Sequence, residues 1–210
     1  MSDGAGFGDV PTTTIGDLLG REQFMDIGIR PLWGAGSDTP RLVGPAYTVR
    51  CAKGDNLTLH AAIYRAEPGS VIVVESGDLD YALAGGNVCA IAHRRGVAGF
   101  VLDGLVRDIG EVRELGFPVY GRGVIPKPGG KSATAPLNLP VICGGVTVQV
   151  GDVVVADEDG VAVVPAARAD AVLADARARL AKEAAETLDE WEAAHRAKVE
   201  ELLAAQGFEN

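Results

Sequence analysis

Residues 106–111, VRDIGE, set one cation and two acids close together directly after the apolar run FVLDGL. A strand feeding a helix exposes N–H groups at the helix start, and Asp108 and Glu111 suit that positive dipole end. Arg107 does not. A cation at a helix start disfavours the helix, so Arg107 implies an anion that the chain itself does not supply. An arginine fork binds a carboxylate at two points. Asp108 and Glu111 share one helix face by their i, i+3 spacing. One carboxylate plus waters is a sufficient ligand set for magnesium, which keeps much of its hydration.

A second stretch, AGGNV at 84–88, opens an earlier helix. Gly85 and Gly86 let a ligand approach backbone N–H groups that the helix leaves without acceptors, a setting that receives anions. Other groupings carry less. KPGGKS, 127–132, has the end of a phosphate-loop pattern but Ile125 where that pattern requires glycine. DEDG, 157–160, lacks the downstream glutamate of a calcium loop and reads as a hairpin turn between valine-rich strands. His60, His93 and His195 are dispersed, with no i, i+4 pair and no cysteine cluster, which argues against zinc. His93, Arg94 and Arg95 precede Gly96 and read as cations at a helix end. No G-x-S-x-G elbow suggests a serine hydrolase.

The elements that position these residues follow from patterning. RLVGPAYTVRC, 41–51, reads as a strand, residues 54–69 as a helix ending at Pro-Gly, and SVIVVES as a buried strand. A helix from Gly86 to Gly96 then leads into a strand ending at Asp103. This alternation implies an α/β layer. From Pro118 the chain changes to short valine-rich runs separated by Gly-Asp and Asp-Gly turns, the mark of antiparallel structure packed on the first half. Residues 1–11 are glycine-rich and expected to be loose, and TTT at 12–14 supplies hydroxyl caps for a short helix. After Pro165 one long helical pattern carries Leu173, Leu180, Ala184, Leu188, Trp191, Val199 and Leu202 in a stripe that suits packing on its own domain or on a neighbouring subunit. The expected organisation is a domain over 12–165 and a helical extension over 166–210.

Composition narrows the function classes. The 210 residues are 47% hydrophobic, enough for one substantial core, and the net charge of -10 with a pI near 4.7 argues against a nucleic-acid or anionic-membrane binder. Cys51, Cys89 and Cys143 form no C-x-x-C pair and read as core residues in a reducing compartment. The N-terminus has no basic region followed by an apolar run, and no stretch reaches the roughly 20 apolar residues of a membrane span. A cytoplasmic protein is expected.

The segments GDN, PGSVIVV, AGGNV, RGVAGFVLDGLVRD and LPVICGGVTVQVGDVVVADEDGVAVVP, within 54–183, resemble the family of the 4-hydroxy-4-methyl-2-oxoglutarate/4-carboxy-4-hydroxy-2-oxoadipate aldolases and the regulator of ribonuclease activity A. The resemblance implies an α/β/β/α sandwich of the swivelling-domain type with a long C-terminal helix, assembled as trimers or hexamers with sites at subunit boundaries. It implies that Asp108 binds Mg2+, or Mn2+ or another divalent ion, with Glu111 near its waters and Glu183 contributed there by a neighbouring subunit. Arg107 would hold a small 2-oxo acid substrate, and the backbone of Gly85, Gly86, Asn87 and Val88 would receive its carboxylate. A metal on the keto oxygen and carboxylate favours retro-aldol cleavage to pyruvate, and oxaloacetate decarboxylation can share that site. Aldolases of this family often carry an acid where this chain has Gly86, placing a catalytic water. Here Asn87 or Asp103 takes that role, or the substrate is a different 2-oxo acid, or aldolase activity is weak; the retained Arg107 and Asp108 favour a changed substrate. The competing reading is a non-catalytic regulator that binds a ribonuclease or helicase, whose members tend to lack the aspartate after the arginine.

Overall fold

The structure, a computed structural model, describes residues 4–33 and 39–208. Residues 1–3 of the glycine-rich start and 209–210 of the helical extension lie outside the described residues. In chain order the elements are α1 (Thr12–Gly16), β1 (Arg30–Pro31), β2 (Leu42–Arg50), α2 (Leu57–Ala62), β3 (Val71–Glu75), β4 (Ala82–Ala84), α3 (Gly86–Arg94) and β5 (Gly99–Val106). There follow α4 (Ile109–Leu115), β6 (Val119–Val124), β7 (Val141–Cys143), β8 (Val146–Val148), β9 (Val153–Asp157), β10 (Gly160–Val164), α5 (Ala169–Ala185) and α6 (Leu188–Ala205).

The main sheet runs β1-β6-β5-β3-β2-β9-β10, with β4 added beside β5. Strands β2, β3, β5 and β6 are parallel, as helical crossovers require. The long strand β2 is shared: its first four residues pair antiparallel with β9 and its last five pair parallel with β3. The sheet therefore bends about β2 and nearly closes, since Phe24 bridges Ala162 and the Met25 N–H donates to the Val161 carbonyl at 3.0 Å. DEDG forms the tight turn of the β9–β10 hairpin, with Asp157 opposite Gly160.

Three apolar cores separate four layers. Leu59, Cys89, Phe100, Leu102, Val112 and Phe117 lie between the parallel strands and the helices α2, α3 and α4. Val71, Val73, Val101, Cys143, Val148 and Val154 fill the space inside the bent sheet beneath the β7–β8 hairpin. Phe7, Ile15, Val155, Val164, Val172 and Ala176 join β9 and β10 to α1 and α5. This is the α/β/β/α sandwich of the swivelling type. All three cysteines are free and buried. Burial pushes the Cys51 thiol up to about 11 and the Cys89 thiol up to about 12, so neither is a thiolate at neutral pH.

Three local expectations change. The described part of the N-terminal segment is not loose, because Phe7 and Val10 are fully buried against α5 and β9; two apolar residues among glycines were enough to dock it. The Thr12 hydroxyl does not cap α1 but donates to Asp157 at 2.6 Å, as does its N–H at 2.9 Å. The helical extension is present but breaks after Ala185. Thr187 accepts from the Glu190 N–H, and the Glu190 carboxylate accepts in return from the Thr187 N–H, a capping box that starts α6 afresh. Leu173 and Leu180 of the stripe pack on the domain, whereas Leu188, Trp191 and Leu202 on α6 are exposed. No described helix is long and apolar enough to cross a membrane.

Phe117 is fully buried and meets Phe100 edge-on at 4.9 Å under α3 and α4. Phe117→Ala is expected to lower stability by about 3–5 kcal/mol, measurable as a shift in the denaturant midpoint at unchanged m-value.

Candidate functional site

Strands β4 and β5 run parallel, and each ends directly at the start of a helix, α3 after β4 and α4 after β5. The Arg107 N–H donates to the Ala84 carbonyl at 3.0 Å, which ties the two strand ends together. Two helix N-termini consequently lie side by side at the carboxyl end of the parallel strands, the usual place for a ligand in such sheets.

Gly85 is required here for space, whereas the room beside Gly86 is occupied by the flexible end of Glu111. Gly85 is extended, a conformation open to any residue, but a Cβ there would sit 2.5 Å from Asp108 Oδ2 and 2.9 Å from Arg107 Cγ. A Cβ on Gly86 would overlap the Glu111 carboxylate. The Glu111 side chain thus takes up the volume that a side chain at position 86 would need. Asp108 Oδ2 accepts from the Gly86 N–H at 3.2 Å and lies 3.5 Å from Arg107 Nε. Asp108 itself is left-handed, φ 56° and ψ 36°, a conformation that aspartate tolerates better than most residues but still at a cost. Such strain concentrates at functional positions.

These residues face a cavity of about 70 Å³ lined by Asn56, His60, Gly85, Asn87, Val88, Arg107, Asp108, Pro128 and Lys131 among others. Five of the residues singled out in the sequence are therefore neighbours on one cavity, with Gly86 and Glu111 packed directly behind Asp108. The Asn87 and Val88 N–H groups belong to the first turn of α3, where the helix offers them no acceptor.

Asp103 lies elsewhere. Strand alternation sends its side chain to the same face as Val101, away from the helices. There it accepts from Arg122 through one oxygen and from the Gly144 N–H at 2.9 Å through the other. Arg122 also forms a two-point pair with Asp26, whose pKa that guanidinium lowers despite partial burial. Asp103 thus anchors the hairpin turn and does not line the cavity. Glu183, exposed on α5, pairs with Arg179 of its own helix at 2.9 Å, and Arg179 also reaches Asp17.

Asn56, His60, Pro128 and Lys131 were not singled out as functional in the sequence. Asn56 and His60 are one helical turn apart, and Lys131 belongs to the KPGGKS loop that failed the phosphate-loop pattern. What brings the loop here is Asp55. Its buried carboxylate accepts from the Leu57 N–H at 2.8 Å, the Ala133 N–H at 3.1 Å, and both the N–H and hydroxyl of Ser132. Burial raises the Asp55 pKa, but those donors outweigh it and hold it below the ordinary aspartate value. Burial and the Lys131 charge lower the His60 pKa, against a smaller opposing effect of Asp55, so the imidazole is neutral at neutral pH.

The donor set bears on a metal. Among the described residues no three His, Cys, Asp or Glu side chains form a ready ligand group. Asp108 uses only Oδ2 within the chain, so Oδ1 remains for an ion that keeps most of its water, and magnesium is of that kind. The residues present fit such an ion.

A cavity with a cation, an acid and the first turn of α3, at the carboxyl ends of parallel strands in an α/β/β/α sandwich, has a lining that suits a small anion. Residues 12–163 match the Aldolase/RraA family, and the chain belongs to it. A protein of Halalkalibacterium halodurans named "Putative 4-hydroxy-4-methyl-2-oxoglutarate aldolase" is 40% identical over 180 residues, covering 85% of this chain and 84% of that one. A Deinococcus radiodurans protein of the same name is 34% identical over 152 residues, 72% of this chain and 92% of that one. Among solved structures, Streptomyces coelicolor RraAS2, described as an unusual member of the RNase ES inhibitor RraA protein family, has a TM-score of 0.72 at 28% identity, covering 93% of this chain and 96% of that one. The RNA-processing inhibitor RraA of Thermus thermophilis gives 0.66 at 30% identity, with 75% and 93% covered.

Asp55→Asn is expected to loosen the loop at 128–133 and to cost about 1.5–3 kcal/mol, the scale of hydrogen bonds to a charged group. Because the folded pKa is depressed, that contribution is present above about pH 3.9, the unfolded value, and fades as pH falls through the folded value. Denaturation of both forms at pH 7 and at successively lower pH should show a gap that narrows as acid is added.

Proposed function

We propose that this protein is a divalent-metal-dependent lyase that cleaves 2-oxo acids resembling 4-hydroxy-4-methyl-2-oxoglutarate to pyruvate by retro-aldol reaction, and that it also decarboxylates oxaloacetate. The observation that supports this most is the convergence of Arg107, Asp108 and the first turn of α3 on one cavity. The names carried by the Halalkalibacterium and Deinococcus relatives agree with it.

Arg107 pairs with the substrate carboxylate through its guanidinium, and the Asn87 and Val88 N–H groups donate to the same end of the molecule. Asp108, and the waters held near Glu111, would carry Mg2+ or Mn2+. Bound there, the ion would act as a Lewis acid on the keto oxygen, taking up charge that develops as the carbon–carbon bond breaks. The Gly86 N–H fixes the Asp108 carboxylate for that task, and the strained Asp108 backbone directs it toward the cavity. Gly86 needs no acid of its own in this reading, because the Glu111 carboxylate fills the adjoining volume.

The working unit is a homo-oligomer, trimer or hexamer. Support comes from α6, which buries no residue in the single chain and leaves Leu188, Trp191 and Leu202 exposed, and from a cavity that gathers few acids from one chain. Glu183 would then approach a neighbour's cavity. A ribonuclease-binding regulator is the second reading, drawn from the descriptions of the Streptomyces and Thermus structures. Asp108 beside Arg107 favours the lyase.

Pyruvate release from 4-hydroxy-4-methyl-2-oxoglutarate and from oxaloacetate is expected with magnesium, is expected to vanish with chelator, and should return with magnesium or manganese. Asp108→Asn, which keeps a residue tolerant of the left-handed backbone, and Arg107→Ala should each lower kcat/KM by about a hundredfold or more, the scale of losing one charge-stabilising group. Folded protein without turnover in any condition would instead favour the regulator. Light scattering should give three or six chains per particle, and Trp191→Asp should shift the particle toward the monomer.

A further inference from the structure

The cavity has two walls, and the proposed lyase uses only one. Arg107, Asp108 and the start of α3 make the first. The second consists of Asn56, His60 and Lys131. The Asn56 side chain is held in one orientation, because its Nδ2 donates to the carbonyls of Leu83 at 3.0 Å and Ala82 at 3.3 Å. Asn56 is 5% exposed, and its Oδ1 has no hydrogen-bond partner. A buried acceptor left unmatched costs about 1–3 kcal/mol, so it is an anomaly that a ligand can repair. With both carbonyls claiming Nδ2, the polar capacity this amide has left is its acceptor oxygen, so a ligand group that pairs with it must be a donor.

Lys131 is the second cation on the cavity and, among the described residues, has no carboxylate in salt-bridge range. Its loop is held against this wall by the Asn56 N–H to Gly130 carbonyl bond at 3.0 Å and by the Asp55 carboxylate. His60 adds no charge to compete with it, being neutral at neutral pH. The wall thus offers one fixed acceptor and one cation, a pattern matched by a fragment carrying a hydroxyl and a carboxylate.

Building on the lyase reading, we infer that Asn56 and Lys131 form the subsite for the part of the substrate beyond the pyruvyl unit, Asn56 accepting its hydroxyl and Lys131 pairing with its second carboxylate. These two residues then set specificity, and each reads a different group.

The test is calorimetric binding, in magnesium, of three acids that lack a 2-oxo group and so are not cleaved: 2-hydroxybutyrate, 2-hydroxyglutarate and 2,4-dihydroxyglutarate. The second adds only a distal carboxylate to the first, and the third adds only a hydroxyl. Wild-type affinity is expected to rise about tenfold at each step, the scale of one charged and one well-aligned neutral contact. Lys131→Met should abolish the first step alone, and Asn56→Ala or Asn56→Ser the second alone. Equal wild-type affinity for all three acids, or steps that persist in the variants, would overturn the inference even if no asparagine variant folds. Binding in steps without any pyruvate production would leave the subsite standing and remove the lyase reading, whereas pyruvate production without stepwise binding would overturn the subsite and leave the lyase reading standing.

Discussion

The hydrogen bond from the Arg107 N–H to the Ala84 carbonyl, at 3.0 Å, is the contact on which the site depends. It pairs the last residues of β4 and β5, and through them places the starts of α3 and α4 next to each other. Everything chemical follows from that adjacency. The N–H groups of one helix face the arginine and aspartate that precede the other, at a separation where any side chain at position 85 would collide with Asp108. Asp108 accepts a left-handed backbone to reach this place. A cost of about 1–2 kcal/mol for such a residue is large against a total stability of about 5–15 kcal/mol. The site is therefore a place where stability is given up for geometry.

Charge is distributed in a way that the net value conceals. The chain carries -10 overall, yet its cavity shows Arg107 and Lys131 against Asp108, with a neutral His60 between them in character. The net negative charge of the chain disfavours polyanions such as nucleic acid, whereas the two cations on the cavity complement a small anion. A divalent ion at Asp108 would extend that complementarity.

The two halves of the site differ in how far the sequence exposes them. Arg107, Asp108, Glu111 and the glycines at 85 and 86 were legible because strand-to-helix turns have local rules: acids belong at helix starts, and a cation there is an exception that asks for a ligand. Asp103 misled because composition alone cannot say which face of β5 it occupies. Counting alternation from Phe100 and Val101 resolves it, since these two residues lie in different cores. Asn56, His60 and Lys131 stayed hidden because they come from separate segments joined by the buried Asp55 carboxylate, a contact between residues 77 and 78 positions apart that no local rule anticipates. The α/β layer and the antiparallel half packed on it were legible from alternating elements and valine-rich runs, and the four-layer sandwich from the family resemblance, while the break at Thr187 was overlooked although the spacing of Thr187 and Glu190 is a recognised helix start.

The claim that organises the account is that Asp108 holds a divalent ion at this cavity. The most direct measurement is a manganese titration followed by electron paramagnetic resonance on the wild type and on Asp108→Asn, with both proteins shown to be folded. The account predicts one manganese site per chain in the wild type, displaced by magnesium and perturbed by added pyruvate, and no such site in the variant. Manganese binding of equal strength in both proteins, or in neither, would contradict it.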